Sequence, residues 1–224
     1  LEAVGGVTIT SGGQKAVGDR ADYDLDAGRL VLTGEDLAIT GPDRRLTASE
    51  RIEYHRGDGR AVAVGDAVLI GGQGTVRADR LTAFLGGSGD DRRLERVRAE
   101  GNARAEGQQG RITAPRLVGH FVAGADGRGV LDRVEAEGGV VIRTAEQVAR
   151  GVRGTYDPRK GIATLTGSVK LTRGGNQLNG GHAVVDLESG VSRLFAAPPG
   201  SDQQDGERVR GLLMPDGAEG SGTQ

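Results

Sequence analysis

One phrase, a glycine followed closely by alternating apolar residues, returns six times along this chain and constrains its fold more than any other feature. It reads Gly5-Gly-Val-Thr-Ile, Gly34-Glu-Asp-Leu-Ala-Ile, Gly65-Asp-Ala-Val-Leu-Ile, Gly138-Gly-Val-Val-Ile and Gly167-Ser-Val-Lys-Leu, with a degenerate copy at Gly101-Asn-Ala-Arg-Ala. The register drifts by one residue between copies, yet successive glycines stay 29, 31, 36, 37 and 29 residues apart. Self-similarity at such a period marks a stacked repeat architecture. The alternation within each copy has a period of two, so the repeated unit is made of strands.

Each unit follows one internal order. A short strand follows the anchor glycine, a polar turn leads to a second strand, and a Gly/Asp turn leads to a third that runs into the next glycine. In the first unit Val7 and Ile9 alternate with polar neighbours, and Ser11-Gly-Gly-Gln turns the chain. Ala21, Tyr23 and Leu25 then alternate with aspartates, and Leu30 and Leu32 share a face. Later units repeat the pattern through Ile52 and Tyr54, through Leu81 and Leu85, through Leu117 and Phe121, and through Tyr156 and Ile162. Two or three strands per unit predict about 15 to 17 antiparallel strands in an all-β domain over residues 1–198. Residues 86–98 and 124–133 read as longer exposed hairpin loops. Residues 199–224 read as a polar, disordered tail with one apolar island, Val209–Pro215, able to dock.

Composition narrows this further. Glycine is abundant, 41 of 224 residues against 6 prolines, as many turns require. A glycine inside a helix costs about 1 kcal/mol relative to alanine, and no 3.6-residue periodicity survives, which dismisses a helical reading. Aromatic residues make up 3%, so the core is built from Val, Leu, Ile and Ala, as suits a flattened barrel or sandwich. Basic and acidic residues balance at 29 and 31, without the clustered positive excess of a nucleic-acid binder. Without cysteine there are no disulfides or zinc-thiolate sites. No apolar run approaches the roughly 18 residues of a spanning helix. The chain starts at Leu1, and reads as a mature or trimmed form whose signal peptide is already gone.

The search for catalytic chemistry finds none. His55, His120 and His182 lie in different repeats and share no metal-ligand spacing. Acidic pairs such as Asp22/Asp24 and Glu135/Glu137 sit where solvation is the default, although a glycosidase with two carboxyls across a cleft stays open. Gly86-Gly-Ser-Gly-Asp-Asp resembles half of a calcium-binding nonapeptide, but Arg93 stands where that motif needs an apolar residue. No phosphate-cradling glycine loop and no nucleophile elbow is present. No cofactor is expected. A polysaccharide-active parallel β-helix enzyme remains the alternative from another functional class, because such enzymes carry comparable repeats.

Several phrases, taken in order, resemble the LptA (OstA-like) family of periplasmic lipopolysaccharide (LPS) transport proteins. They are Ala21-Asp-Tyr-Asp with Leu30-Val-Leu-Thr-Gly, Gly154-Thr-Tyr-Asp-Pro with Ala163-Thr-Leu-Thr-Gly-Ser-Val, then Leu171-Thr-Arg-Gly-Gly-Asn-Gln-Leu and Gly190-Val-Ser-Arg-Leu. The resemblance spans roughly residues 1–198. It implies an open β-jellyroll with a V-shaped apolar interior, a periplasmic location, and a non-enzymatic carrier that holds LPS acyl chains in its groove. Partners implied are the inner- and outer-membrane components of LPS export, joined through edge strands, and further copies joined head to tail. The related periplasmic domain of the outer-membrane translocon, or of the inner-membrane anchor, is the alternative within the same pathway. The groove-facing candidates are Val7, Ile9, Tyr23, Leu30, Leu32, Leu37, Ile39, Tyr54, Phe84 and Tyr156. Small aliphatic residues with few aromatics would leave room for acyl chains, each buried methylene contributing about 0.8 kcal/mol.

Overall fold

The computed structural model describes residues 1–87, 92–124, 129–200 and 208–213. Sixteen strands form among them: β1 Glu2–Ser11, β2 Gln14–Asp24, β3 Arg29–Thr33, β4 Leu37–Thr40, β5 Arg44–Ala48, β6 Arg51–His55, β7 Arg60–Gly71 and β8 Gly74–Gly86. They continue with β9 Arg93–Gly107, β10 Gly110–Ala123, β11 Gly129–Arg143, β12 Gln147–Asp157, β13 Ile162–Arg173, β14 Asn176–Asp186, β15 Ser192–Phe195 and β16 Arg210–Leu212. All belong to one sheet, and every pair is antiparallel. The protein is an all-β jellyroll, and the antiparallel ladder removes the parallel β-helix alternative.

The topology is a meander. β3 and β4 lie end to end beside β2, β5 and β6 lie end to end beside β7, and β3 pairs β6 as β4 pairs β5. From β7 to β14 each strand runs the full height of the sheet and pairs with its sequence neighbour.

The recurring glycines occupy a place different from the one their spacing predicts. Only Gly34 precedes a short strand, β4; the other five sit within long ones. On β7, Gly65 and Asp66 together face the single residue Asp79 of β8, between the pairs Val64↔Arg80 and Ala67↔Ala78. That is a β-bulge, which bends its strand and sharpens its twist. Both bulge residues are left-handed, with φ of 84° at Gly65 and 42° at Asp66. Gly101-Asn102 on β9 repeats the geometry with φ of 75° and 48°, and the Asn102 Nδ2 donates to Asp79 Oδ2 at 3.0 Å. A Cβ on Gly101 would lie 2.2 Å from the Asp79 carboxylate, so only glycine fits there. Register shifts fall at the same height on β1, β11 and β13. The bulges therefore form a crease across the whole sheet, dividing it into two arms.

The crease also explains the drift in the sequence phrase. In five copies the bulge is two residues long, so the inner-face residue is third, as in Val7, Ala67, Ala103, Val140 and Val169. At Gly34 the interruption is Gly34-Glu-Asp, closed when the Glu35 amide donates to Asp19 Oδ2 at 2.8 Å, and the inner residue Leu37 comes fourth.

The loops after β8 and β10 are shorter than residues 86–98 and 124–133 suggested, because β9 starts at Arg93 and β11 at Gly129. Residues 88–91 and 125–128 lie outside the described residues, as do 201–207 and 214–224 of the expected tail. Within that tail the apolar island does supply a strand, β16, on the edge of β14.

Candidate functional site

The paired registers order the inner-face side chains into rows that cross the strands. One row just above the crease reads Ala21, Leu32, Ile52, Ala63, Leu81, Ala99, Leu117, Ala136, Gly154, Leu165, Ala183 and Leu194. Large and small side chains mostly alternate along it, the arrangement by which facing layers interdigitate. Leu32, Ile52, Ala99 and Leu165 are 1% exposed or less, so most of this row is closely packed, with Ala99 and Leu117 bordering the cavity described next.

The next row outward behaves differently. It reads Tyr23, Leu30, Tyr54, Ala61, Ala83, Val97, Gly119, Val134, Tyr156, Ala163 and Val185. Its first three members are large and its middle five are small. Where Val97, Gly119 and Val134 stand, the two arms flank a cavity of about 1010 Å3. Its wall is aliphatic: Leu69, Val76, Leu94, Val97, Ala105, Ile112, Leu117, Leu131, Val134 and Ile142, with Phe121. Its volume stands at the upper end of the range for small-molecule pockets.

Polar side chains cross between the arms at the cavity rim. Gln73, in the β7–β8 turn, accepts the Leu131 amide at 2.8 Å, and Arg44 donates to the Gly129 carbonyl at 3.2 Å. Tyr156 donates its hydroxyl to Gln109 Oε1 at 2.6 Å, and Gln109 Nε2 donates to Glu188 Oε1 at 3.0 Å. Burial pushes the Tyr156 phenol up from its ordinary value, keeping it a donor. Of the rim arginines, Arg111 is paired with Glu106 at 2.7 Å and Arg44 stands 3.6 Å from Asp43. Both charge signs thus meet at the mouth.

The sequence-predicted residues separate into groups. Val7, Ile9, Leu30, Leu32, Leu37, Ile39 and Tyr156 belong to the packed interior. Of all ten candidates only Tyr156 lines the cavity. Leu32 and Leu37 are 1% exposed and already filled around. Tyr23 and Tyr54 share the inner face with Ala21 and Ile52 but stand at strand ends, outside the packed cluster. Phe84 is a correction: it lies between the inner residues Ala83 and Leu85 and faces outward, where Arg96 stacks over its ring at 4.2 Å. Ile9 and Ile39 connect to the cavity along a lower row, Ile9, Ala16, Ile39, Leu46, Leu69, Val76, Ala105 and Ile112. The cavity wall itself was missed, because its mark is smallness at matched positions of neighbouring strands, visible only once the register is known.

The three histidines stay apart. His55 lies 3.3 Å from Glu53, His120 lies 3.6 Å from Glu135, and His182 packs beside Phe195 with ring centroids 5.8 Å apart. Among the described residues no group of three metal-ligating side chains forms.

Comparison with known proteins follows the same line. Curated proteins give no match. Among solved structures, LptH, the LptA-homologous periplasmic component of the LPS transport device from Pseudomonas aeruginosa, aligns at 17% identity with a TM-score of 0.33, covering 77% of this chain and 95% of that one. The family described as LptA/(LptD N-terminal domain) LPS transport protein matches residues 46–191, which hold β6 to β14 and the aliphatic wall of the cavity. The chain belongs to this family of LPS transport proteins.

Proposed function

We propose that this protein is a non-enzymatic periplasmic carrier that holds LPS acyl chains in the cavity between β7 and β12 and hands the lipid on, through end-to-end contacts, from the inner to the outer membrane. The observation that carries this reading is the hollow aliphatic interior of about 1010 Å3. Folding ordinarily fills such space, because voids forfeit dispersion contacts. A void lined by Val97, Gly119, Val134 and Ile112 is therefore reserved for an apolar guest. The lower row from Ile9 and Ile39 extends the same apolar strip to the β1 edge, which would let a chain move along the groove instead of entering only from the side.

End-to-end contact is supported by the edges. β1 pairs only with β2 among the described residues, and Val4 on it and Leu1 just before it are 70% and 80% exposed. An unprotected strand edge of this length templates pairing with another sheet. Domains of the same family in the inner- and outer-membrane components are the partners that such an edge suits.

The chain contains no tryptophan, so a single one both fills the cavity and reports on it. Val97→Trp is expected to weaken capture of LPS in a fluorescence titration about tenfold, the worth of roughly two excluded methylenes. Phe84→Trp, on the outer face, is expected to leave capture unchanged. Equal capture by both variants would refute the cavity as the site.

A further inference from the structure

The last layer of the sheet is built from two pieces. β15 covers the upper half of β14, from Val185↔Ser192 to His182↔Phe195. The chain then meets Pro198-Pro199, two residues without an amide hydrogen, which cannot extend a ladder. The lower half of β14 is covered by β16, with Gln177↔Leu212, Leu178↔Gly211 and Asn179↔Arg210 in register. β16 has three residues, all exposed, and its flanking Val209 and Leu213 are 45% and 70% exposed. A strand that buries so little is held by a few ladder hydrogen bonds, each worth about 1 kcal/mol net.

The opposite edge of the molecule offers a matching strand. The Val7–Ser11 half of β1 lies below the crease, as Gln177–Asn179 of β14 does, and runs in the same direction as β16. Ile9 heads the inner row that ends in Leu171, Leu178 and Gly211. At that end the cis strand places a glycine beside Leu178, with no side chain to cover it. Ile9 of a second copy would supply an apolar side chain at the same position and continue the row from one molecule into the next.

We propose that the Gln177–Asn179 edge of β14 is a strand-acceptor site, filled in cis by β16 and in trans by the Val7–Ser11 segment of a second copy, so that β16 restrains assembly. The proposal rests on the end-to-end reading above and adds its regulation. β15 stays in place; the exchange concerns the lower half-edge alone. Because the trans strand contributes the larger apolar contact, it wins as copies become concentrated, and the cis strand caps the edge when they are dilute.

The test uses the full chain, which has no cysteine of its own. Asn179→Cys with Arg210→Cys places a thiol pair on directly opposed residues, locking β16 when oxidised and freeing it when reduced. Gly211→Pro removes a ladder donor and releases β16. Sedimentation velocity over a concentration series should show the oxidised lock monomeric and its reduced form associating. Gly211→Pro should associate at about tenfold lower concentration than the parent, as the loss of one or two ladder bonds predicts. Adding Ile9→Asp to Gly211→Pro should return it to monomer. Equal association midpoints in locked, reduced and Gly211→Pro forms would overturn the cis-capping proposal while leaving end-to-end assembly standing. Persistent association of the Ile9→Asp double variant would remove β1 as the occupant. If none of the forms associates up to the solubility limit, the end-to-end reading fails, and cis-capping with it.

Discussion

The N-terminal end of the sheet and its middle are built on the same crease and the same inner rows, yet one is full and the other hollow. At the N-terminal end, Leu30 sits between Tyr23 and Tyr54, and Leu32 and Ile52 close the row beneath at 1% exposure each. Further along, the same two rows carry Val97 and Gly119 above Ala99 and Leu117, and a cavity opens. The backbone differs in one respect: the filled end includes the short strands β3 to β6, laid end to end in pairs, while the middle uses full-height strands. Side-chain volume at matched register adds to this difference, and together they divide the interior into a part that is packed full and a part that leaves a cavity.

The largest test of that division is a pair of truncations. Leu32→Ala should open a void in the filled end and cost about 2–5 kcal/mol by chemical denaturation. Val97→Ala, buried at 4% exposure but bordering the cavity, should cost about 1–2 kcal/mol, near the transfer value of its lost methyl groups, because one side of it is already open. Equal losses would erase the distinction between the two regions.

Acid should sharpen the same contrast. Glu53, on β6 of the filled end, accepts from Arg51 at 2.7 Å and Arg29 at 3.0 Å, with His55 close by. Its hydrogen bonds to Arg51 first, and then to Arg29, hold its carboxyl at about 2 against an ordinary 4.5. A carboxyl depressed by folding stabilises the protein above its unfolded value and loses that contribution as pH falls. Stability should therefore fall between about pH 4.5 and pH 2 as Glu53 is protonated. Glu53→Gln should cost about 2 kcal/mol at neutral pH, a typical value for charge-assisted hydrogen bonds, and should flatten that part of the curve. An unchanged pH profile in the variant would contradict the assignment.

Smaller effects probe what both regions share. Gly101→Ala forces a Cβ into a left-handed residue 2.2 Å from the Asp79 carboxylate, and should cost about 1–2 kcal/mol with loss of the bend. Gln109→Ala cuts the rim chain from Tyr156 to Glu188 and should cost about 1 kcal/mol. If the rim gates the cavity, Gln109→Ala should also speed LPS release in a stopped-flow chase.

Much of the fold was legible in the sequence, for a physical reason. Period-two alternation survives in strands as different as Val7–Ile9 and Val169–Leu171, and the glycine spacing counts hairpins directly. The glycines are legible as bends but not as mid-strand bulges, because a bulge of this kind and a turn both place glycine at positive φ. Gly65 and Gly101 look like strand starts until Val64↔Arg80 and Ala67↔Ala78 are seen to continue one ladder on either side. The site was legible only as a face. Val7, Ile9 and Ile39 were placed inward by alternation alone, while Phe84 went wrong by one position, since the apolar run Ala83-Phe84-Leu85 does not say which member points in. Gly119 carries no apolar signal of its own; its meaning comes from lying between Val97 and Val134.

The central claim is that LPS acyl chains occupy the hollow middle and not the filled end. Photo-crosslinking residues placed one at a time at Val97, Ile112, Leu117, Leu32, Ile52 and Phe84, each followed by exposure to LPS and illumination, test it most directly. Labelling concentrated at Val97, Ile112 and Leu117, weak at Leu32 and Ile52 and absent at Phe84, is the predicted pattern. Labelling that is uniform over all six positions, or strongest at Phe84, would contradict it.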